Sequence, residues 1–346
     1  MRPTLKISVV AVSLLLLFFS CKKTGTGEHA GPTPVNFDIP VGWPQPKYDF
    51  TGNPLTKEGI QLGRKLFYDG LLSKDGNFPC ASCHQQIGAF GTFDHNLSHG
   101  FNNSHTLRNA PALQNLAWQH EFQADGGIKS LDDQPIVPLT SPIEMAETVD
   151  NVLNKLRSSS TYPSLFKAAF GDETIDVLRM TKALSQFMLT MISANSKYDQ
   201  VKKGTATFLL SESLGYDIFK QKCAACHQEP LFTDFSYRND GFAVDPVLQD
   251  FGRMRITHNS ADSLKFKVPT LRNIMATYPY LHDGSVYDIY TMLEHYNNGV
   301  IVGPTTDPLV KNKIPLSNFE KGQLVAFLTT LTDSSFLKNT ALAAGN

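Results

Sequence analysis

Cys80-Ala-Ser-Cys83-His84 and Cys223-Ala-Ala-Cys226-His227 decide how this chain is read. Each is Cys-x-x-Cys-His. Two thiols three residues apart lie on one face of a helical turn, where they can add to the two vinyl groups of one haem. The histidine that follows then stands over the iron. With 10 His in 346 residues, a His after both pairs by chance has a probability on the order of 0.1%. A zinc ribbon brings its two Cys pairs much closer in sequence, and a thioredoxin-type pair sits in a βαβ context that is missing here. The motifs therefore predict two covalent haem c groups, with His84 and His227 as proximal iron ligands.

Composition narrows the class. The chain has 31 basic and 32 acidic side chains, 41% apolar residues and 18% charged ones. Near-neutrality without a basic stripe argues against nucleic acid, and the apolar content excludes wholesale disorder. Arg2 and Lys6 precede an apolar stretch from Ile7 to Phe19 that ends in Ser20-Cys21. This reads as an export signal over 1–20, too short to span a bilayer. Cys21 is then the lipidated first residue of a periplasmic lipoprotein, the alternative being plain cleavage. Residues 21–47, rich in Pro, read as a tether.

The surroundings of the two motifs repeat. Leu62-Gly63 and Leu66-Phe67 precede the first, and Leu214-Gly215 and Ile218-Phe219 precede the second. Thr106-Leu107-Arg108-Asn109 follows the first, and Thr270-Leu271-Arg272-Asn273 the second. The expected fold is all-α, two cytochrome c-like haem domains in tandem, over 48–200 and 201–346. The boundary is expected in the polar Asn195–Thr205 segment. Val177, Met180, Leu184, Phe187 and Met191 mark a long amphipathic helix ending near Ser193. Ser317 and Glu320 have capping-box spacing ahead of Leu324, Phe327, Leu328 and Leu331. Any strands are expected as short hairpins in loops.

From about Asn53 to Asp333 the chain resembles the bacterial di-haem cytochrome c peroxidases, including the branch of methylamine-dehydrogenase-maturing di-haem oxidases. The resemblance rests on Leu66-Phe67-Tyr68-Asp69, both Cys-x-x-Cys-His motifs, Arg108-Asn109-Ala110-Pro111, Pro142-Ile143-Glu144-Met145, Lys267 to Asn273, and Tyr278 to Gly284. It implies that the first haem reacts with hydrogen peroxide and the second takes electrons from a small donor protein, a cytochrome c or a cupredoxin. A homodimer is also compatible with it.

The resemblance assigns site residues one by one. Glu144 matches a distal acid/base carboxylate, although Ser141 to Glu144 is also a capping box. Gln134 matches a glutamine of the same pocket. Tyr296 falls where peroxidases carry an axial Met and the maturing oxidases an axial Tyr. Met292, an open position, and simple packing on the face of Val286, Ile289 and Leu293 are the alternatives. His99 falls near a displaceable ligand of the first iron, or is a solvated loop residue. Asn109, Thr277 and Pro279 match a calcium site between the domains, or are ordinary turns. Where the family usually places an inter-haem Trp, this chain has Ala124; Trp118 and Phe122 lie upstream. The expected activity is a peroxidase. A di-haem oxidase of a protein or small molecule, favoured by Tyr296, and a non-enzymatic electron carrier, favoured by Ala124, are the other readings.

Overall fold

The structure is a computed structural model that describes residues 31–345, so the signal segment and Cys21 lie outside the described residues. Helices dominate, and their pairing repeats along the chain. In the first half the Lys57–Tyr68 helix starts at Thr56, whose side chain accepts from the Gly59 amide, and buries Leu62, Leu66 and Phe67. It packs against the Val177–Leu189 helix. In the second half the Leu210–Lys222 helix packs in the same way against Asn318–Thr329. The repeated Leu-Gly dipeptides explain why both pairs come so close. A methyl group at Gly63 would collide with the Ala183 carbonyl, and one at Gly215 with the Gln323 carbonyl.

Two hydrophobic clusters result. One runs from Leu55 to Met191 and is joined by Leu231, Phe336 and Leu342. The other runs from Tyr198 to Leu331. The chain end thus returns to the first cluster. There Phe336 packs on Phe90 at 5.9 Å, and Arg64 donates to the Ala343 carbonyl at 2.6 Å.

Several local expectations need correction. Residues 31–47 are packed against the fold: Trp118 Nε1 donates to the Pro44 carbonyl at 2.7 Å, and Trp43 lies 4.8 Å from the Trp118 ring. The aromatic residues scattered among the prolines supply that anchorage. The polar stretch at 195–205 contains the Lys197–Lys202 helix, closed by a Ser196/Asp199 capping box. Asp199 also receives both arms of Arg272, at 2.9 and 2.8 Å, and Arg272 is fully buried. The amphipathic helix stops at Leu189 rather than near Ser193. Strand structure is one antiparallel pair, Tyr237–Arg238 with Phe266–Lys267. It joins distant segments and is not a hairpin.

Overpacking a close helix crossing costs about 1–3 kcal/mol, so Gly63→Ala and Gly215→Ala should each lower the urea midpoint of the holoprotein. Gly322, in the same helix as Gln323, has nothing within 4 Å of an added methyl. Gly322→Ala should therefore be stabilising, by about 0.5–1 kcal/mol.

Candidate haem sites

Cys80 and Cys83 begin and end a single helical turn, with His84 as its C-cap. The second motif follows directly on the Leu210–Lys222 helix, with Cys223 as the cap. In each motif the histidine amide donates to the first cysteine's carbonyl, at 2.9 Å for His84 and 3.0 Å for His227. All four thiols are free. Burial pushes Cys80 and Cys223 up to about 12, which keeps them as thiols.

The imidazoles are fixed by backbone carbonyls. His84 Nδ1 lies 2.7 Å from the Phe90 oxygen, and His227 Nδ1 lies 3.1 Å from the oxygens of Phe232 and Pro269. A carbonyl can only accept, so Nδ1 carries the proton in both rings and Nε2 keeps its lone pair for a metal. Burial lowers both pKa values and favours the neutral, ligating form.

A cavity of about 420 Å³ lies beside the second motif and reaches across to the first half. Cys223, Cys226, His227, Met292 and Tyr296 line it from one side; Gln134, Ala124 and Phe122 line it from the other. Tyr296 sits in the π-helical turn His295–Gly299, a geometry often found at functional sites. Ile289 and Leu293 enter the second hydrophobic cluster, whereas Tyr296 faces the cavity. Burial and the nearby Asp240 hold its phenol well above the ordinary range. Gln134 Oε1 is buried without a hydrogen-bond partner, an acceptor that a bound group can satisfy.

Glu144 lies in a turn, not at a helix start, because the Ile136–Thr140 helix ends just before it. The capping-box alternative is thereby removed. Burial raises its carboxyl pKa, against a lowering hydrogen bond from Ser141, and its charge is felt at the Cys83 thiol. His99 is exposed, its ring 4.6 Å from His105 and 5.4 Å from His95. The His99 carbonyl lies 3.9 Å from Cys83 Sγ. Glu144 and the His99 backbone are thus both near Cys83, on the side of the first motif. Asn109, Thr277 and Pro279 all line the central cavity, and the Asn109 amide donates to the His282 carbonyl at 2.8 Å. Trp118 is a core residue, only 2% exposed. Of the two upstream aromatics, Phe122 is the one that lines the cavity.

Two polar residues of the cavity wall were not anticipated from sequence. Burial pushes Asp240 up to about 6, and Lys267 is pushed down to about 8. Neither stands in a spacing that points to chemistry.

A family profile described as di-haem cytochrome c peroxidase matches residues 57–207. The methylamine utilization protein MauG of Methylorubrum extorquens is 35% identical over 304 residues, covering 86% of this chain and 83% of that protein. Cytochrome c551 peroxidase of Nitrosomonas europaea is 32% identical over 339 residues, covering 96% and 92%. Among solved structures, a MauG-like protein associated with microbial copper homeostasis superposes with a TM-score of 0.81 at 31% identity, covering 90% of this chain and 99% of that one. The diheme peroxidase BthA of Burkholderia thailandensis shares the fold, with a TM-score of 0.72 at 21% identity, covering 92% and 98%.

Because each Cys pair serves its own histidine, Cys80→Ser with Cys83→Ser should leave a chain carrying about half the covalent haem. Pyridine haemochrome absorbance per protein measures this.

Proposed function

This chain belongs to the di-haem cytochrome c peroxidase family and is an oxidoreductase of that kind; we propose that it reduces hydrogen peroxide to two waters with two electrons and two protons, the electrons coming from a small cytochrome c or cupredoxin. In this reading residues 48–200 and 201–346 are tandem haem domains. Carrying it is the paired arrangement of free thiols and carbonyl-tethered imidazoles, His84 to Phe90 and His227 to Phe232 and Pro269.

The residues present fit two haem c groups. His84 and His227 would hold the irons, and Cys80, Cys83, Cys223 and Cys226 the porphyrin edges. When bound, a haem supplies an iron able to take up peroxide and pass electrons.

The protein's own part is proton handling and orientation. Glu144 takes the proton from one peroxide oxygen and returns it to the other, the leaving oxygen, which then departs as water. A carboxyl raised by burial is better matched to that double task than an ordinary glutamate, which seldom holds a proton near neutral pH. Gln134 offers an unpartnered amide oxygen toward the cavity. Tyr296 is the sixth ligand opposite His227; a phenolate there favours the ferric state relative to Met. His99 is the displaceable ligand on the side of the first motif. Asn109 with the carbonyls of Thr277 and Pro279 supplies hard oxygen donors for a calcium ion. The apolar stretch before Cys21 supports periplasmic export with a lipid anchor at that residue.

Tyr296 also supports a second reading, an oxidase that spends the oxidising equivalents on a protein or small molecule. The similarity to proteins named MauG points the same way.

Glu144→Gln should retain both haems and slow peroxide-dependent oxidation of a reduced cytochrome c by roughly 100-fold or more. The carboxylate accepts the first proton, so wild-type activity should fall as pH drops through the raised Glu144 pKa, and the variant's profile should lose that limb. Unchanged turnover in Glu144→Gln rejects this residue as the acid/base.

A further inference from the structure

The wall between the two halves carries more positive than negative side chains. Arg108 bridges Asp125 at 2.6 Å and Asp250 at 2.5 Å. Lys129 and Arg253 hold Glu121, Arg253 at 3.0 Å, and Arg255 stands 3.6 Å from Asp250. Every carboxylate of the group is thus already engaged by another cation.

Lys267 is the cation left over. Its ammonium donates to the backbone carbonyl of Glu121 and to the side-chain oxygen of Gln119, the latter at 3.3 Å. Both acceptors are neutral, and an ammonium has three N–H bonds, so one donor remains. Its backbone is fixed by the Tyr237 pairing and by an amide bond to the Ala124 oxygen at 2.7 Å. The residue lines the central cavity. Burial lowers its pKa to about 8; Glu121 and Asp125 pull upward, while Arg253 and Lys129 push further down.

A buried cation without a counter-charge is costly, and the cost is relieved by an anion within hydrogen-bond reach. Haem carries two carboxylates and no other anionic side group. Lys267 lies two residues before Pro269, whose carbonyl holds His227. We propose that Lys267 is a carboxylate-binding residue that holds a propionate of the haem attached at Cys223 and Cys226 against the wall at Ala124. This rests on the haem-binding reading above. A fixed positive charge at that edge favours the reduced iron, so Lys267 raises the potential of the second haem and its deprotonation lowers it.

The test is a spectroelectrochemical titration of the holoprotein as wild type, Lys267→Arg and Lys267→Gln, at about pH 7 and about pH 9.5, on either side of the lysine pKa. Haem content is measured first, so a chain that binds no haem is recognised as a failure of the underlying reading. The single-haem chain lacking Cys80 and Cys83 identifies the second haem's wave. The wild-type potential of that haem should fall between the two pH values. Lys267→Arg should keep the pH 7 value at both, and Lys267→Gln the lower value at both. Unmoved potentials in haem-loaded Lys267→Gln overturn the proposal. So does a pH shift of equal size in wild type and Lys267→Arg, which decides the matter even where Lys267→Gln does not fold. A wild-type potential that moves with added benzoate, and ceases to in Lys267→Gln, assigns the site to a diffusible carboxylate instead and also overturns it.

Discussion

Everything proposed for this chain depends on where the proton sits on two imidazoles. His84 and His227 each give Nδ1–H to a backbone carbonyl, which leaves Nε2 as a lone pair in a fixed direction. The carbonyls of Phe90 and Phe232 follow their histidines by only six and five residues, so the bond is set by local chain geometry. Burial adds to it by disfavouring the imidazolium. A ring free to rotate or to protonate would not present a constant ligand, and the thiols beside it would have no fixed partner.

Duplication does not make the two halves equivalent. Arg108 and Arg272 occupy matching places in the repeat, yet their partners differ. Arg272 is fully buried on Asp199, where removal of either member would strand a charge in the core. Arg108 reaches out to Asp125 and Asp250 and ties the 239–266 segment to the first half. The same motif thus anchors the second core in one copy and the seam between halves in the other. The asymmetry extends to the sites, with Glu144 and the His99 backbone near Cys83, and Tyr296 across the cavity from the second motif.

The parts legible in sequence are those whose causes are local. The Cys-x-x-Cys-His turns, the apolar helix faces and the Ser317/Glu320 cap depend on spacings of three and four residues. Gly63 and Gly215 were visible as a repeat, but only the facing helices show why no side chain fits there. Glu144 illustrates the limit of local rules: Ser141 to Glu144 has the residues of a helix start, yet the chain turns instead of entering a helix there. Asp240 and Lys267 were illegible for a different reason. Their pKa values move because of what distant segments place around them, and no pattern in sequence records that.

The most direct test of a peroxidase built from two unequal haem sites is stopped-flow mixing of the half-reduced, calcium-loaded holoprotein with hydrogen peroxide, followed by a reduced small cytochrome c. The account predicts rapid haem oxidation and repeated turnover at the expense of the added cytochrome. A fully haem-loaded protein that fails to react with peroxide, or that reacts once and then ignores the cytochrome, contradicts it.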